Sequence, residues 1–486
     1  MKKSITYLLV LSLVLIVNNG CKKFLAVDPP FTQDAENFFK TPEDYERALI
    51  GAYDLLQGSF MSLWIGEIAS DNSIAGGESV NDSQGLHEIE NMTHGGLNND
   101  LRSLFRWNYA GLTRANYLLE NKDNIDFSGK ETIIAEARFL RAYYYFELVK
   151  FFGDVPLIID KRLGVKEGTT AERTPANEVY TQIEEDLIAA ANVLNYATIK
   201  GHANKGAALS LLGKAYLYQK KFALAASTLD EVIASGYYSL VDNYNEMFTA
   251  ANENNAETVF DIEYSGLEGG SYDCLICLEG NAAVGFQGIR QYDGPVYGDG
   301  NSYNLPTQNL YNAFDANDPR RDFTILDIEA FISAQTDPSS ISYAIGAGGH
   351  TGYYSNKYIK RQGEIGLPDN DLTSPVNYRV IRYSDVLLMA AEAHYQEGNT
   401  GKAQQLLVPI RVRLGMQPIP VSSIDVIYNE RRLELAGEGH RFFDLVRTGK
   451  AAQAIEGFQT GKHELFPLPQ IEIDLVGGSW TQNPGY

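Results

Sequence analysis

Cysteine is scarce in this sequence, with three residues among 486. After Cys21 only Cys274 and Cys277 remain, and together they form one C-x-x-C motif. A single motif of this kind lacks the second ligand pair of a structural zinc site, and no strand–helix pattern of a redox site frames it. We therefore expect a structural role for these two cysteines, either as a local disulfide or as a buried reduced pair.

Basic residues and long apolar runs are also few. Lys and Arg total 40 against 62 Asp and Glu, which gives a formal net charge of −22. Phosphates would repel a chain this acidic, so we expect no nucleic-acid partner. After the N-terminal apolar run, no stretch of the sequence is apolar for long enough to cross a bilayer.

Signatures of metal and catalytic sites are missing as well. His87 and His94 lie close to Glu88 and Glu90, but their spacing is not that of the H-E-x-x-H motif. We therefore predict neither a metal nor a cofactor. Acidic residues are plentiful, yet no motif pairs two of them across a cleft as a glycoside hydrolase requires.

The start of the chain resembles a secretory signal. Two lysines precede an apolar run over Ile5–Val17, which is too short to span a membrane. A small residue then precedes Cys21, as in a bacterial lipoprotein acylation site, although Asn18 stands where the usual Leu would be. We predict a signal peptide over 1–20, a lipid anchor on Cys21, and an extended tether over 21–33. The alternative is an ordinary cleaved signal that a cysteine happens to follow.

The apolar pattern of Lys205–Gly236 indicates a helical hairpin. Apolar residues recur at i, i+3, i+4 and i+7 in both halves, and a polar turn separates the halves. The spacing fits a tetratricopeptide repeat, in which Gly213 and Ala225 let two backbones approach closely. Because a lone hairpin cannot bury both faces, the similar patterns at 133–152 and 383–407 are expected to complete it. We predict a mainly α fold, a tetratricopeptide-like hairpin scaffold with long loop-rich insertions and a few short strands.

Two loop-rich segments interrupt the helical pattern. Ser70–Asn99 is rich in Gly, Asn, Asp and Ser, and Gly266–Tyr303 combines dense glycine with recurring tyrosine. Between the helical regions, Thr258–Glu263 alternates as a strand does. Long loops on a rigid base are where binding residues usually lie, so we expect function in these segments.

Asn429–Gly449 is the most densely charged stretch of the chain. One interpretation is catalysis by Glu438 and Asp444. The other is an ion-pair network that fixes the last helix. We favour the network, because we expect no nearby loop to bring a substrate to these carboxylates.

A set of motifs spread over nearly the whole chain resembles the SusD/RagB family. Each motif is short, and the specificity comes from their combination. The motifs are Cys21–Leu25, Asp28–Pro30, Arg138–Tyr143, Phe152–Pro156, Arg382–Met389, Ala391–Ala393, Glu430–Leu435, Glu438–Arg441, Asp444–Arg447, Phe466–Pro469, Glu472–Ile473 and Gln482–Tyr486.

The resemblance implies an outer-membrane lipoprotein of a Bacteroidetes-type bacterium, exposed at the cell surface. Such proteins cover a SusC-type TonB-dependent transporter and hand it nutrients, usually oligosaccharides, and they are not enzymes. We expect two helical regions, 34–237 and 238–486, packed as one globular unit. The matching motifs belong to the scaffold, and ligand contacts in the family come from variable loops, so no family site residue carries over.

Two other functions stay open at this point. A surface glycoside hydrolase would need a pair of carboxylates about 5 to 10 Å apart across a cleft. A tetratricopeptide adaptor would bind a protein partner in its groove, and uninterrupted tandem repeats would favour it. The sequence shows neither feature.

Sugar recognition needs aromatic faces for C–H groups and planar polar side chains for hydroxyls. The two loop-rich segments supply both types of side chain. The alternative for the tyrosines is packing against the helices. The predicted ligand contacts are Tyr292, Tyr297, Tyr303, Asp71, Asn72 and Asn81.

Overall fold

The computed structural model describes most of the chain, namely residues 38–159, 161–244, 247–267, 279–364 and 372–486. The predicted signal peptide (1–20), Cys21 with its tether (21–33), and the pair Cys274 and Cys277 lie outside these ranges. Of the helices within them, none has the length and apolarity needed to cross a bilayer.

Helices dominate the described ranges. They are α1 (Pro42–Asp54), α2 (Phe60–Ile68), α3 (Gln84–Glu90), α4 (Asn99–Glu120), α5 (Lys130–Phe152), α6 (Val165–Gly168), α7 (Ala176–Val193), α8 (Lys205–Tyr218), α9 (Phe222–Ala234), α10 (Ala282–Phe286), α11 (Gln308–Ala313), α12 (Arg320–Thr324), α13 (Ile328–Ser333), α14 (Tyr383–Gln396), α15 (Thr400–Val412), α16 (Ile424–Leu435), α17 (Arg441–Arg447), α18 (Ala451–Ala454) and α19 (Gln470–Leu475).

The strands are short and pair two by two. They are β1 (Ser73–Gly76), β2 (Thr258–Ile262), β3 (Ile289–Arg290), β4 (Asp299–Gly300), β5 (Tyr303–Pro306), β6 (Ile325–Asp327), β7 (Tyr353–Ser355) and β8 (Tyr378–Arg382). β1 pairs with β5, β2 with β8 and β6 with β7, all antiparallel, whereas β3 and β4 are parallel. The mainly α fold with a few short strands is therefore confirmed.

The hairpin of α8 and α9 forms as its apolar pattern predicts. Asn204 caps α8 by accepting a hydrogen bond from the Ala207 amide, and Lys220 makes the turn at a φ of 58°. The two helices approach closely at Gly213, where a Cβ atom would lie 2.6 Å from Leu229 Cδ2. A glycine at this position is therefore required by the packing of the hairpin.

A second hairpin, α14 and α15, packs against the first. Gly398 makes its turn at a φ of 79°. Lys214 of α8 reaches Asp385 at 3.4 Å, and His394 lies 3.0 Å from Asp230 of α9. Helices on both sides of the predicted boundary at 237 thus contact each other, while the boundary itself stays a prediction.

Helix α5 is buried almost all round and lies at the centre of the fold. It packs against α4 and α7, and its Phe139 ring meets Phe260 of β2 at 4.8 Å. Tyr144 covers the backbone of Gly111 and donates a hydrogen bond to the Ala52 carbonyl at 2.6 Å. The buried hydroxyl groups of this helix therefore find partners within the core.

The stretch Ser70–Asn99, interpreted from sequence as an irregular loop, contains regular structure. β1 and α3 lie within it, and Ile89 of α3 is fully buried. Its apolar residues are too few and too widely spaced to show a helical period over the usual window. The loop is therefore shorter and more firmly held than its composition indicates.

The charged stretch near the C-terminus lies inside the protein, where Glu434 is fully buried. Arg320, Arg382 and Arg413 all pair with its carboxylate. Burial alone would raise the pKa of Glu434, but the three guanidinium groups hold that pKa far below its usual range. Glu434 is therefore a permanently charged centre of a buried network.

Glu438 is equally enclosed. It accepts hydrogen bonds from Lys357 Nζ at 2.6 Å and from Arg382 Nε at 2.8 Å. Asp444 pairs with Arg431 and Arg447; burial opposes its charge, yet these two cations lower its pKa to about 2. The predicted ion-pair network is confirmed.

We expected no loop to lie near this charged stretch, and that expectation is wrong. A loop does reach the charged stretch, because Asp71 at the start of the first loop pairs with it. Arg441 Nε lies 2.7 Å from Asp71 Oδ1, and Arg432 Nη2 lies 3.0 Å from Oδ2. The contact fixes the loop to the scaffold.

Candidate functional site

The two predicted loops lie side by side in the structure. Strand β1 of the first pairs with β5, which begins at Tyr303, the last residue of the second; Gly76 lies opposite Tyr303 and Ile74 opposite Leu305. The Gly77 amide then donates to the Ser302 carbonyl at 2.8 Å. Segments about 230 residues apart in sequence therefore form one surface.

A third loop completes this surface. The Ala344 amide donates to the Arg290 carbonyl and the Ala347 amide to the Glu78 carbonyl, both at 2.8 Å. Gly346 and Gly348 lie directly against the backbone carbonyls of the first loop, where a Cβ atom would collide. We call the surface formed by residues 77–83, 290–298 and 341–350 the loop face.

The three predicted tyrosines lie beneath the loop face with little of each ring exposed. Tyr292 is 7% exposed, Tyr297 7% and Tyr303 5%. Tyr292 and Tyr297 belong to a small apolar cluster with Ile289 and Leu326. In this conformation the rings hold the loops together, which is the packing alternative considered for them.

Each of these tyrosines also has an internal partner. The Tyr292 hydroxyl donates to the Pro295 carbonyl at 2.7 Å, and the Tyr303 hydroxyl accepts from Ser83 at 3.2 Å. The Tyr303 ring stacks on Trp64, with centroids 5.7 Å apart and an interplanar angle of 20°. Burial raises the pKa of all three phenols.

The predicted polar contacts divide into two groups. Asn72 is fully buried, donates to Glu67 at 2.9 Å and accepts from Arg432 at 3.0 Å. Asp71 is held by the two arginine contacts described above, and its side chain is 9% exposed. Asn81 alone among the six predicted residues is exposed, at the rim of the loop face.

The structure adds polar and aromatic groups that the sequence interpretation did not select. Arg290 pairs with the exposed Glu78 at 2.9 Å. Tyr343 and His350 are half-buried with ring centroids 6.0 Å apart, and the Tyr343 hydroxyl donates to Glu329 at 2.6 Å. Tyr343 and His350 are the only Tyr and His of segment 341–350, which lies in a Gly- and Ser-rich part of the sequence. These two residues were the sequence feature that could have indicated a third binding loop.

These groups determine the chemistry of the loop face. Burial lowers the pKa of His350, so its imidazole is neutral near pH 7 and offers one donor and one acceptor. The Tyr343 ring supplies an apolar face, while Arg290 and Asn81 supply hydrogen-bond donors. Such a surface suits a polyhydroxylated ligand with C–H faces.

The described ranges contain no group of three or more His, Cys, Asp or Glu side chains arranged to hold a metal ion. His94, one of the two histidines of the first loop, is buried, with Nε2 2.9 Å from the Tyr486 hydroxyl. Burial lowers its pKa to about 3. It is therefore a neutral core residue.

Comparison with known protein families gives two matches along the chain. The profile described as "Starch-binding associating with outer membrane" matches residues 23–217, and the profile described as "SusD family" matches residues 256–464. The first profile includes segment 77–83 of the loop face, and the second includes segments 290–298 and 341–350.

Individual relatives match over nearly the full length. A solved "Laminarin binding SusD-like protein" is 35% identical, with a TM-score of 0.86, over 92% of this chain and 100% of that chain. Surface glycan-binding protein A from Bacteroides thetaiotaomicron, solved with laminarihexaose, is 26% identical, with a TM-score of 0.83, over 91% and 99% of the two chains. SusD-like protein P2 of Formosa agariphila is 28% identical over the whole of both chains.

The similarity to SusD-like proteins therefore covers nearly the whole chain, including its helical hairpins and its buried charge network. The chain belongs to the SusD family.

Proposed function

We propose that this protein captures oligosaccharides at the bacterial surface and delivers them to a SusC-like TonB-dependent transporter of the outer membrane. The observation that carries the proposal is the 35% identity to a laminarin-binding SusD-like protein over 92% of this chain.

The binding site in this proposal is the loop face. Asn81, Arg290, Tyr343 and His350 make the contacts with sugar, because they combine accessible donors with aromatic faces. The buried residues of the predicted set act from beneath: Tyr292, Tyr297 and Tyr303 support the loops, while Asp71 and Asn72 fix the first loop to α16 and α17.

Binding without turnover is part of the proposal. A glycoside hydrolase needs two accessible carboxylates flanking a cleft. Glu434, Glu438 and Asp444, the carboxylates of the most charged stretch, are committed to buried cations. Incubation of the protein with laminarihexaose, followed by chromatography, is expected to return the hexasaccharide intact, and release of shorter sugars would contradict this part.

The proposal places the protein on the outer membrane through a lipid on Cys21. It is supported by the signal-like first 20 residues and by the family description that refers to the outer membrane. A SusC-like transporter is expected to co-purify with the protein from outer membranes, and its consistent absence would favour a protein that acts alone.

Calorimetry on the full chain tests the binding site, with laminarihexaose as the first probe and maltohexaose as the second. Tyr343→Ala and His350→Ala are expected to weaken binding about 5- to 150-fold each, since loss of one stacking ring costs about 1–3 kcal/mol by analogy with base stacking. Because Tyr343 also donates to Glu329 and packs against the cluster of Tyr292 and Tyr297, the melting temperature of each variant is measured too, and affinities are compared only between folded proteins.

The matched control is Tyr395→Ala, which removes a half-buried ring from α14, away from the loop face. It should leave affinity unchanged. If Tyr343→Ala, His350→Ala and the control all bind sugar as the parent does, the sugar site lies outside the loop face.

A further inference from the structure

A second cleft lies away from the loop face. Two adjoining cavities of about 270 and 280 Å³ share the residues Lys200, Gly201, His202 and Asp261. Their walls come from the segment before α8, from β2 and from the C-terminal half of α1. We call this the Gly201 cleft, lined by segments 196–204 and 254–263. It shares no lining residue with the loop face.

The segment over this cleft is held in a defined conformation. Gly201 has a φ of 80°, and a Cβ atom there would lie 2.6 Å from Glu263 Cγ. The neighbouring His202 lies 2.8 Å from Glu136, and Tyr53 accepts a hydrogen bond from the Ala203 amide at 2.8 Å. The cleft is therefore preformed, which lowers the entropic cost of binding a ligand.

One wall of the cleft is aromatic. Tyr237 is 50% exposed, and its ring lies 5.8 Å from that of Tyr196 at an interplanar angle of 31°. A half-exposed tyrosine with its ring supported by another tyrosine is a ready surface for the C–H face of a sugar. Lys200 lies exposed beside it as a donor.

The floor of the cleft is closed by a buried carboxylate. Asp261 is 3% exposed and lines both cavities. Its Oδ2 pairs with Arg379, whereas Oδ1 is buried and has no partner among the described atoms. Oδ1 has almost no accessible surface, so the acceptors that a ligand hydroxyl can reach are the half-buried carboxylates of Glu263 and Glu279, which line one of the two cavities.

We propose that the Gly201 cleft is a second binding site, specific for neutral oligosaccharides. Hydroxyl groups match the Lys200 donor and the Glu263 carboxylate, and the sugar ring matches Tyr237. Glu263 and Glu279 also line the cleft, so sulfated or uronic sugars are disfavoured by charge. With the loop face, the cleft would give one chain two points of attachment to a polymer, which raises its avidity.

The test is calorimetry on the full chain with three probes, laminarihexaose, maltohexaose and cellohexaose. At least one probe is expected to bind the parent at two sites. The double variant Tyr237→Ala/Lys200→Ala should lose one site or weaken it at least tenfold, and Tyr343→Ala/His350→Ala should lose the other. Tyr237→Phe keeps the ring and should bind like the parent. Leu224→Ala, which shortens an exposed side chain of α9, is the control.

The outcomes separate the two sites. If the variant with Tyr237 and Lys200 replaced melts like the parent and retains its stoichiometry and affinity for every probe, the cleft proposal is refuted. It is refuted too if the loop-face variant abolishes all binding, or if no probe binds the parent. If the loop-face variant binds like the parent but the cleft variant does not, the cleft stands and the loop face fails as the principal site.

Discussion

Replacement of Glu438 by glutamine tests whether the buried charges are structural. Glu438 is fully buried, and its two oxygens accept hydrogen bonds from Lys357 at 2.6 Å and Arg382 at 2.8 Å. Burial favours the neutral acid, but Arg382 and Lys357 lower the pKa of Glu438 below its ordinary value. Glutamine keeps the shape of the side chain but removes the charge and turns one acceptor into a donor.

The expected cost follows from what remains after the change. Arg382 still pairs with Glu257 and Glu434, whereas Lys357, whose side chain is completely buried, loses its carboxylate partner and keeps the Glu434 carbonyl. Breaking a buried pair by removing one partner costs about 3–5 kcal/mol. We expect the free energy of unfolding to fall by an amount in this range. An unpaired arginine that is partly exposed would cost less, roughly 1–3 kcal/mol.

Urea unfolding at pH 7, followed by circular dichroism, measures the effect. The control is Glu456→Gln, which changes an exposed carboxylate and should alter the free energy of unfolding by less than about 0.5 kcal/mol. Lys357→Met combined with Glu438→Gln should cost less than the sum of the single changes, by about 0.5–3 kcal/mol. A Glu438→Gln protein with the parent's stability but impaired sugar binding would refute the structural role.

Other predictions address the hairpin, the pH dependence and the anchor. Gly213→Ala should destabilise by about 1–3 kcal/mol through overpacking against Leu229, whereas Gly51→Ala, with no atom within 4 Å of the new methyl group, should be neutral or stabilising in the same thermal melt. Because burial holds the pKa of His94 near 3, below its unfolded value, the folded state gives up stability as pH falls below 6.5. His94→Gln should therefore reduce the loss between pH 6.5 and 5 by up to about 2 kcal/mol in urea titrations, and an unchanged slope would contradict it. Cys21→Ala should release the protein from the membrane fraction, and a variant that stays there would rule out a lipid anchor at this residue.

The sequence is informative where one local pattern determines the structure. Apolar periodicity and small residues predicted the hairpin around Gly213 and the helix from Tyr383, and Thr258–Ile262 forms the expected strand. In each case neighbouring residues decide the outcome, because they share one face of a helix or alternate across a strand. Helix ends differed by a few residues, as at α5, which begins at Lys130, three residues before the pattern at 133–152.

The candidate site was less predictable, because contacts between distant segments decide which side chains are exposed. Tyrosine-rich loops suggested stacking faces, yet the pairing of β1 with β5 places Tyr303 beneath the surface, against Trp64. Nothing in the local sequence distinguishes Tyr303 from Tyr343, which lies half-exposed on the third loop. The composition of the loops indicated that tyrosines in this region matter. Which tyrosines are exposed depends on contacts between distant segments, and these are not visible in the local sequence.

The buried charges explain how irregular loops can carry a defined site. Asp71 joins the first loop to α17 through Arg441, and Lys357, which follows β7, joins the insertion to Glu438. Since a buried ion pair has a strict geometry and is costly to break, each contact fixes the base of a loop against the helical scaffold. The tips at Asn81 and Tyr343 lie beyond these anchors, so their side chains can differ without disturbing the network. A rigid base with replaceable tips is what a binding protein needs if related chains are to recognise different sugars.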